Sequence, residues 1–147
     1  MFGHVWGLKT VAFLDVWSIE HLLSGISIGK IVSSLHERIY INFLGSDQSL
    51  IRTNYFDLIG VLFLAYFWET SEHYLETGLI GTTVSSWFQG VEFWGNRLIA
   101  DPFVLVLGYY LGQRFSFLVN LARILSSVWL TIHIFVFPHS MYLHTLF

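Results

Sequence analysis

The chain has 147 residues, of which 54% are hydrophobic, 18% are aromatic and only 12% are charged. A soluble domain carries about 25% charged residues, so this composition predicts a multi-pass protein of the cytoplasmic (inner) membrane with the lipid bilayer as its partner. The net charge of −3 and the absence of a basic block exclude nucleic acid as a partner, and the absence of cysteine excludes disulfides and thiolate metal sites.

The first predicted membrane helix covers residues 11–35. About 20 helical residues are needed to cross a bilayer, and this segment is long enough. It contains Asp15, Glu20 and His21, so it is more than a plain anchor. A polar stretch follows, and its glycine and aspartate predict a turn at residues 45–47.

The second predicted helix covers residues 56–77 and carries ionisable groups near its end. Its uninterrupted apolar part, residues 58–68, spans about 16 Å, or half a bilayer. To cross, the helix must continue through Glu69, Glu72 and His73. These side chains are therefore predicted to lie within the outer part of the membrane.

Two further membrane helices are predicted over residues 98–113 and 117–137. Between the second and third helices, residues 84–97 place apolar and polar side chains on opposite faces, which predicts a short amphipathic helix lying in the membrane interface. The predicted fold is therefore all-α. Residues 1–147 form one domain, an integral membrane bundle of about four transmembrane helices with one short interfacial helix.

The distribution of lysine and arginine predicts the orientation of this bundle. Five such residues lie on one side of the predicted helices and two lie on the other: Lys30, Arg38, Arg52, Arg114 and Arg123 against Lys9 and Arg97. Because the richer side faces the cytoplasm, both termini are predicted to lie outside it. The acidic residues then cluster toward the outer side.

Two pairs of glycines with small-xxx-small spacing predict close helix packing: Gly25 with Gly29, and Gly108 with Gly112. His21 lies on the same helical face as the first pair, and Asp101 lies on the same face as the second pair. If these faces pack together, His21 and Asp101 point into one seam.

Charged side chains in a membrane are costly, so they are expected to face each other, a cavity or an ion. This predicts a polar cluster in the outer half of the bundle. Its candidate ligand residues are His21, Glu69, Glu72, His73 and Asp101. Its secondary members are Asp15, Glu76, Glu92 and Asn96.

Three sequence segments resemble the VanZ-like group of small bacterial membrane proteins, and especially its YjdF-like relatives. The segments are DVWSIEHLLSG from residue 15, WETSEH from residue 68, and NRLIADPFVLVLGYYLG from residue 96. The resemblance covers about residues 15–112. It implies a polytopic membrane fold and, in some members, a link to glycopeptide resistance or the cell envelope, but it implies no particular reaction.

Three classes of function stay open. The cluster could bind a polar lipid headgroup or a divalent metal, since histidine and carboxylates without cysteine suit Zn, Fe or Mn. The chain could instead be a structural accessory subunit of a larger membrane complex. It could also hold a haem between His21 and either His73 or His133. No motif decides whether a reaction is catalysed.

Simpler interpretations exist for the same residues. The carboxylates at the end of the second predicted helix, together with His73, could be solvated at the membrane interface. Arg97 and Asp101 are spaced i, i+4, which is the spacing of an ordinary salt bridge along a helix.

Overall fold

The computed structural model describes residues 4–44 and 50–141. Two three-residue strands, β1 and β2, pair in parallel near the N-terminus, with His4 opposite Ala12 and Trp6 opposite Leu14. All other regular elements are helical. The strands are β1 His4–Trp6 and β2 Ala12–Leu14, the α-helices are α1 Val16–Leu44, α2 Leu50–Glu76, α3 Thr82–Phe88, α4 Asp101–Arg114 and α5 Phe117–Thr131, and π-helical turns cover Asn96–Ala100 and Ile132–Val136.

The prediction of about four transmembrane helices is wrong. Over residues 4–44 and 50–141, one helical segment, Phe117–Val136, is long and apolar enough to cross a bilayer. Its mean hydropathy is 1.5, and 17% of the residues in its apolar window are buried. It corresponds to the predicted helix 117–137. Helices α1 and α2 are long enough to cross but are interrupted by ionisable residues, whereas α3 and α4 are too short, with 7 and 14 residues.

The boundaries of the first two helices also differ from the prediction. Residues 11–15 are not helical, since β2 occupies part of them, and α1 runs nine residues beyond the predicted end at residue 35. Much of the predicted polar loop is helical as well, because α2 already begins at Leu50. The predicted turn at residues 45–47 lies outside the described residues.

The predicted interfacial helix over residues 84–97 is wrong in length. Helix α3 covers only Thr82–Phe88, and it ends because Gln89 and Gly90 adopt positive φ angles of 59° and 110°. A left-handed backbone terminates an α-helix. After an irregular segment, the π-helical turn at residues 96–100 leads directly into α4.

Helix α1 begins where Asp15 caps it. The Asp15 carboxylate accepts hydrogen bonds from the backbone amides of Trp17 at 2.6 Å and Ser18 at 3.3 Å. The Ser18 hydroxyl in turn accepts from the Asp15 amide at 3.2 Å. This reciprocal pattern satisfies amides that the first turn of a helix leaves unpaired, and it fixes Asp15 at the start of α1.

Helix α1 is the central element of the molecule. One apolar cluster joins it to α2 and α4 and consists of Val32, Val61, Ala65, Leu105 and Tyr109. A second joins it to α5 and consists of Ile26, Val119 and Ala122. These two small clusters pack the helices that carry the polar residues.

Helices α1 and α4 approach each other at their glycines. A Cβ atom placed on Gly25 would lie 2.0 Å from the Leu105 carbonyl oxygen, and one on Gly108 would lie 2.3 Å from the Leu22 carbonyl oxygen. Gly112 contacts the backbone of Ile26 in the same way, whereas Gly29 contacts the Tyr109 side chain. No other residue type fits at the crossing, so the backbones themselves form the interface.

The surface of the molecule is strongly apolar and its interior is polar. Large hydrophobic side chains are exposed on most of the helices, among them Phe63 on α2, Phe103 on α4 and Phe117 on α5. Among the described residues, the buried side chains include many charged ones, such as Glu69 and Asp101. A monomeric soluble protein rarely shows contiguous apolar surface on this scale, so another apolar phase or a partner is expected to cover it.

Candidate functional site

Nine ionisable side chains and one asparagine from distant parts of the chain meet at one end of the helices. They come from the loop between the strands, the start of α1, the end of α2, the segment before α4 and the start of α4. We call this group the polar cluster, and its members are Lys9, Asp15, His21, Glu69, Glu72, Glu76, Glu92, Asn96, Arg97 and Asp101. Nine of the ten are buried, and the side chain of Glu72 is 13% exposed.

His21 lies between the carboxylates of Glu69 and Asp101. Its Nε2 atom is 3.5 Å from Glu69 Oε1 and 3.2 Å from Asp101 Oδ2. The glycine crossing explains the contact with Asp101, because it holds α4 against α1 and His21 lies one turn before Gly25. The Ser18 hydroxyl donates to the second oxygen of Asp101 at 2.8 Å and fixes that carboxylate.

Glu76 is the common acceptor of the two buried cations. Both Lys9 and Arg97 form hydrogen-bonded ion pairs with its carboxylate, and the Glu92 amide donates to it at 3.0 Å. Arg97 also lies 3.3 Å from Glu92 Oε2, and its Nε lies 3.9 Å from Glu69 Oε2. These cations bind the loops to the end of α2.

Sequence analysis missed both partners of this ion-pair network. Lys9 was used only to predict topology, yet its side chain is 2% exposed. The proposed i, i+4 pair between Arg97 and Asp101 is wrong, because the π-helical turn changes the spacing of side chains and Arg97 points to α2 instead. A lone lysine before the first apolar stretch was the available signal for Lys9.

Several buried oxygen atoms of the polar cluster have no hydrogen-bond partner within the described residues. Both carboxylate oxygens of Glu69 belong to this group, and the side chain of Glu69 is only 1% exposed. Asp101 Oδ2 and Glu92 Oε2 also lack a hydrogen-bond partner, although His21 Nε2 lies 3.2 Å from the first and Arg97 lies 3.3 Å from the second. Unpaired buried acceptors are rare because each costs about 1–3 kcal/mol, and more when charged.

The charges of the polar cluster do not balance. Its six carboxylates face two permanently charged side chains, Lys9 and Arg97, which leaves four negative charges in excess while His21 is neutral. Burial raises the pKa of Asp15 to about 7, with a further contribution from Asp101. Burial and the nearby Glu72 also raise the pKa of Glu92. Protons or bound cations are therefore needed to neutralise this site.

The structure brings together one imidazole nitrogen and two carboxylate oxygens in a geometry that suits a divalent ion. Ligand atoms of His21, Glu69 and Asp101 all lie within 4.8 Å of one another. Ligands about 2.1 Å from a metal ion lie about 3.0–3.4 Å apart in octahedral or tetrahedral geometry. Of the two separations around His21 Nε2, the one of 3.2 Å falls within that range and the one of 3.5 Å lies just above it.

The remaining histidines give the haem alternative no support. His73 is exposed, and its Nδ1 lies 3.1 Å from the Arg97 guanidinium, which makes this nitrogen unsuited to bind iron. His133 is buried apart from the polar cluster, with its Nδ1 2.9 Å from the Trp129 carbonyl and its ring against Trp17. Among the described residues, no contact joins either of these rings to His21.

Two apolar cavities adjoin the polar cluster. One has a volume of about 420 Å³ and includes Glu72 in its lining, and the other has a volume of about 350 Å³ and includes His21. Trp17, Trp68 and Leu130 line both cavities. Each cavity therefore joins an apolar space to an ionisable group of the site.

A buried carboxylate outside the polar cluster, Asp57, provides a comparison. It accepts a hydrogen bond from Ser33 at 2.5 Å and lies 2.8 Å from His36 Nδ1. Gln113 donates to Ser33 at 2.7 Å and extends this network to α4. Asp57 is thus satisfied by protein groups, in contrast to Glu69.

Comparisons with family models, curated proteins and solved structures found no significant match to this chain. The resemblance to the VanZ-like group therefore stays a prediction.

Proposed function

We propose that this chain is a membrane protein that binds a divalent metal ion between His21, Glu69 and Asp101. The observation that carries the proposal is the pair of unpartnered Glu69 oxygens, which are buried beside an imidazole and a second carboxylate. A metal ion would supply these oxygens with a partner and reduce the excess negative charge. Zn, Mn and Fe(II) accept this set of nitrogen and oxygen ligands.

The apolar exterior supports the membrane part of the proposal. Lipid would cover the exposed aromatic and aliphatic side chains, and Phe117–Val136 would cross the bilayer. A cell-envelope role, which the VanZ-like resemblance favours, belongs to this proposal. The predicted orientation, with both termini outside the cytoplasm, requires an even number of crossings, so a second segment would have to cross together with Phe117–Val136. A neighbouring membrane subunit could cover part of the same surface, and co-purifying chains would reveal it.

We expect the chain to sediment with cell membranes and to remain there after an alkaline carbonate wash. Peripheral proteins are released by this wash, whereas a chain embedded through its apolar surface is retained. Immunoblotting of the washed membranes and the supernatant measures the distribution. Recovery of most of the chain in the supernatant would contradict membrane embedding.

We expect protein purified in mild detergent to contain at least one Zn, Mn or Fe ion per chain. Asp101→Asn keeps the shape of the side chain but removes a ligand charge, so its metal affinity should fall at least tenfold. Elemental mass spectrometry measures the content. After chelation, returning metal to 100 times its Kd should stabilise the wild type by about 2.7 kcal/mol.

The matched control is Asp57→Asn, which changes a buried carboxylate outside the polar cluster and should retain the metal. The proposed metal site would be wrong if purified wild-type protein contained no metal and added Zn, Mn or Fe(II) did not change its stability. Protonated carboxyls and a charged His21 would then be the means of neutralisation.

A second candidate function is the binding of a polar lipid headgroup. The two cavities favour it, because each combines apolar walls with an ionisable group, Glu72 in one and His21 in the other. A long-chain amphiphile would place its chain against Trp17 and Trp68 and its headgroup at the polar cluster. Retained lipid in a metal-free preparation, detected by native mass spectrometry, would favour this candidate over the first.

A further inference from the structure

We propose that Glu69 bridges two divalent metal ions, the first bound with His21 and Asp101 and the second bound with Glu72 and Glu92. This inference rests on the proposed metal-binding function and extends it to a two-ion centre. Ligand atoms of Glu69, Glu72 and Glu92 lie within 4.8 Å of one another, as do those of the first set. Glu69 is the residue that the two sets share.

The state of Glu69 is the independent observation that points to ions on both sides. Its side chain is 1% exposed, and neither oxygen has a hydrogen-bond partner. Oε1 faces His21, while Oε2 faces Arg97 at 3.9 Å, too far for a hydrogen bond. A bridging carboxylate gives one oxygen to each ion, and this would satisfy both atoms at once.

The charge of the polar cluster fits two divalent ions. Four negative charges remain in excess when Lys9 and Arg97 are counted against the six carboxylates and His21 is neutral. Two divalent ions neutralise this excess without any bound proton, whereas one ion neutralises it only together with two protonated carboxyls. Burying an uncompensated charge is strongly unfavourable, so the fully neutralised state is the stable one.

The buried cations Lys9 and Arg97 do not occupy the second ion site, but their charges lower its affinity for a metal ion. Lys9 and one Arg97 nitrogen donate to Glu76, a second Arg97 nitrogen lies 3.1 Å from His73 Nδ1, and Glu92 Oε2 has no hydrogen bond. The two cations still lie 3.7 Å from Glu72 and 3.3 Å from Glu92 respectively, so they repel an ion placed there. The second ion is therefore expected to bind more weakly than the first.

The second ion would also be the one that meets a ligand from the larger cavity. Glu72 lines the cavity of about 420 Å³ together with Trp68 and Trp87, and its side chain is the least buried of the second set. Three protein ligands would leave an ion there with free coordination positions, and Glu72 places it beside the cavity. A phosphate or carboxylate headgroup could take those positions.

The test loads detergent-purified, metal-stripped protein with Mn²⁺, counts the bound ions and records the electron paramagnetic resonance spectrum. We expect two ions per chain with the broadened spectrum of a coupled pair. Glu92→Gln should reduce the count to one and restore the six-line spectrum of an isolated Mn²⁺ ion. Glu69→Gln should lower the occupancy of both positions, and Asp57→Asn should keep both.

The outcomes separate this inference from the function on which it rests. One ion in the wild type, unchanged in Glu92→Gln, would overturn the two-ion centre and leave the site at His21 intact. No bound ion in the wild type would overturn both proposals. If Glu92→Gln fails to fold, Glu72→Gln replaces it in the test, because the Glu72 side chain is more exposed and easier to substitute. Two bound ions in Glu72→Gln would contradict the inference.

Discussion

Replacement of Arg97 by methionine is expected to lower the free energy of unfolding by about 3–5 kcal/mol, the cost of breaking a buried ion pair from one side. Arg97 is 8% exposed and forms ion pairs with Glu76 and Glu92 while also facing Glu69. Removing its charge raises the excess negative charge of the polar cluster further. Methionine retains the length and apolar volume of the stem, so the loss is mainly electrostatic.

The measurement is chemical unfolding in detergent with a chelator present, so that metal cannot compensate. Arg114→Met is the matched control, because Arg114 is exposed at the end of α4 and its replacement should change stability by about 0.5 kcal/mol or less. The loss of unfolding free energy in Arg97→Lys should lie between those of Arg97→Met and Arg114→Met. Lysine keeps the charge but lacks the planar guanidinium that contacts several carboxylates at once. Equal losses for Arg97→Met and Arg114→Met would refute the role of Arg97.

The helical faces of the site could be predicted from the sequence because they depend on local periodicity. His21 and Gly25 are four residues apart, and Asp101 and Gly108 are seven apart, so each pair shares a face whatever the surroundings. The contact between these faces brings His21 to within 3.2 Å of Asp101. Helix geometry and one crossing point therefore place two of the three residues in the first ligand set, His21 and Asp101.

The partners of the carboxylates could not be predicted in the same way. Lys9 and Glu76 are 67 positions apart and meet only because the strand loop folds over the end of α2. Arg97 lies in a π-helical turn, which an α-helical spacing rule assigns to the wrong neighbour. Long-range loop contacts and irregular helical turns leave no periodic signal in the sequence.

The number of membrane helices was mispredicted for a related reason. A segment of α2 looks apolar in sequence, but the full helix includes Arg52, Asp57 and the three glutamates of the polar cluster. The carboxylates of Asp57 and Glu76 have partners outside α2, so a sum of hydropathy along one helix counts the cost of these charges without their compensation. Helix length was misjudged too, since the polar stretch after residue 35 continues α1.

Substitution of Gly25 by leucine is the second change for which we expect a large effect, a loss of about 3 kcal/mol or more of unfolding free energy. Even the first atom of a new side chain would lie 2.0 Å from the Leu105 carbonyl oxygen and 3.0 Å from the Gly108 Cα atom. These are backbone atoms and cannot rotate away, so α1 and α4 must separate. Overpacking of a tight interface costs about 1–3 kcal/mol, and rigid backbone neighbours place this case at the upper end or beyond.

The separation would also reach the polar cluster, because His21 lies one turn before Gly25 and Asp101 lies two turns before Gly108. Moving the helices apart lengthens the distance between His21 Nε2 and Asp101 Oδ2 from 3.2 Å, so bound metal should be lost together with stability. Gly7→Ala is the control, since a Cβ atom there would meet Ala12 at an ordinary 3.5 Å. Thermal unfolding and metal content are measured on the same samples. A Gly25→Leu variant as stable as Gly7→Ala would show that the helices do not cross at these glycines, and His21 and Asp101 would then lack the backbone contact that holds them together.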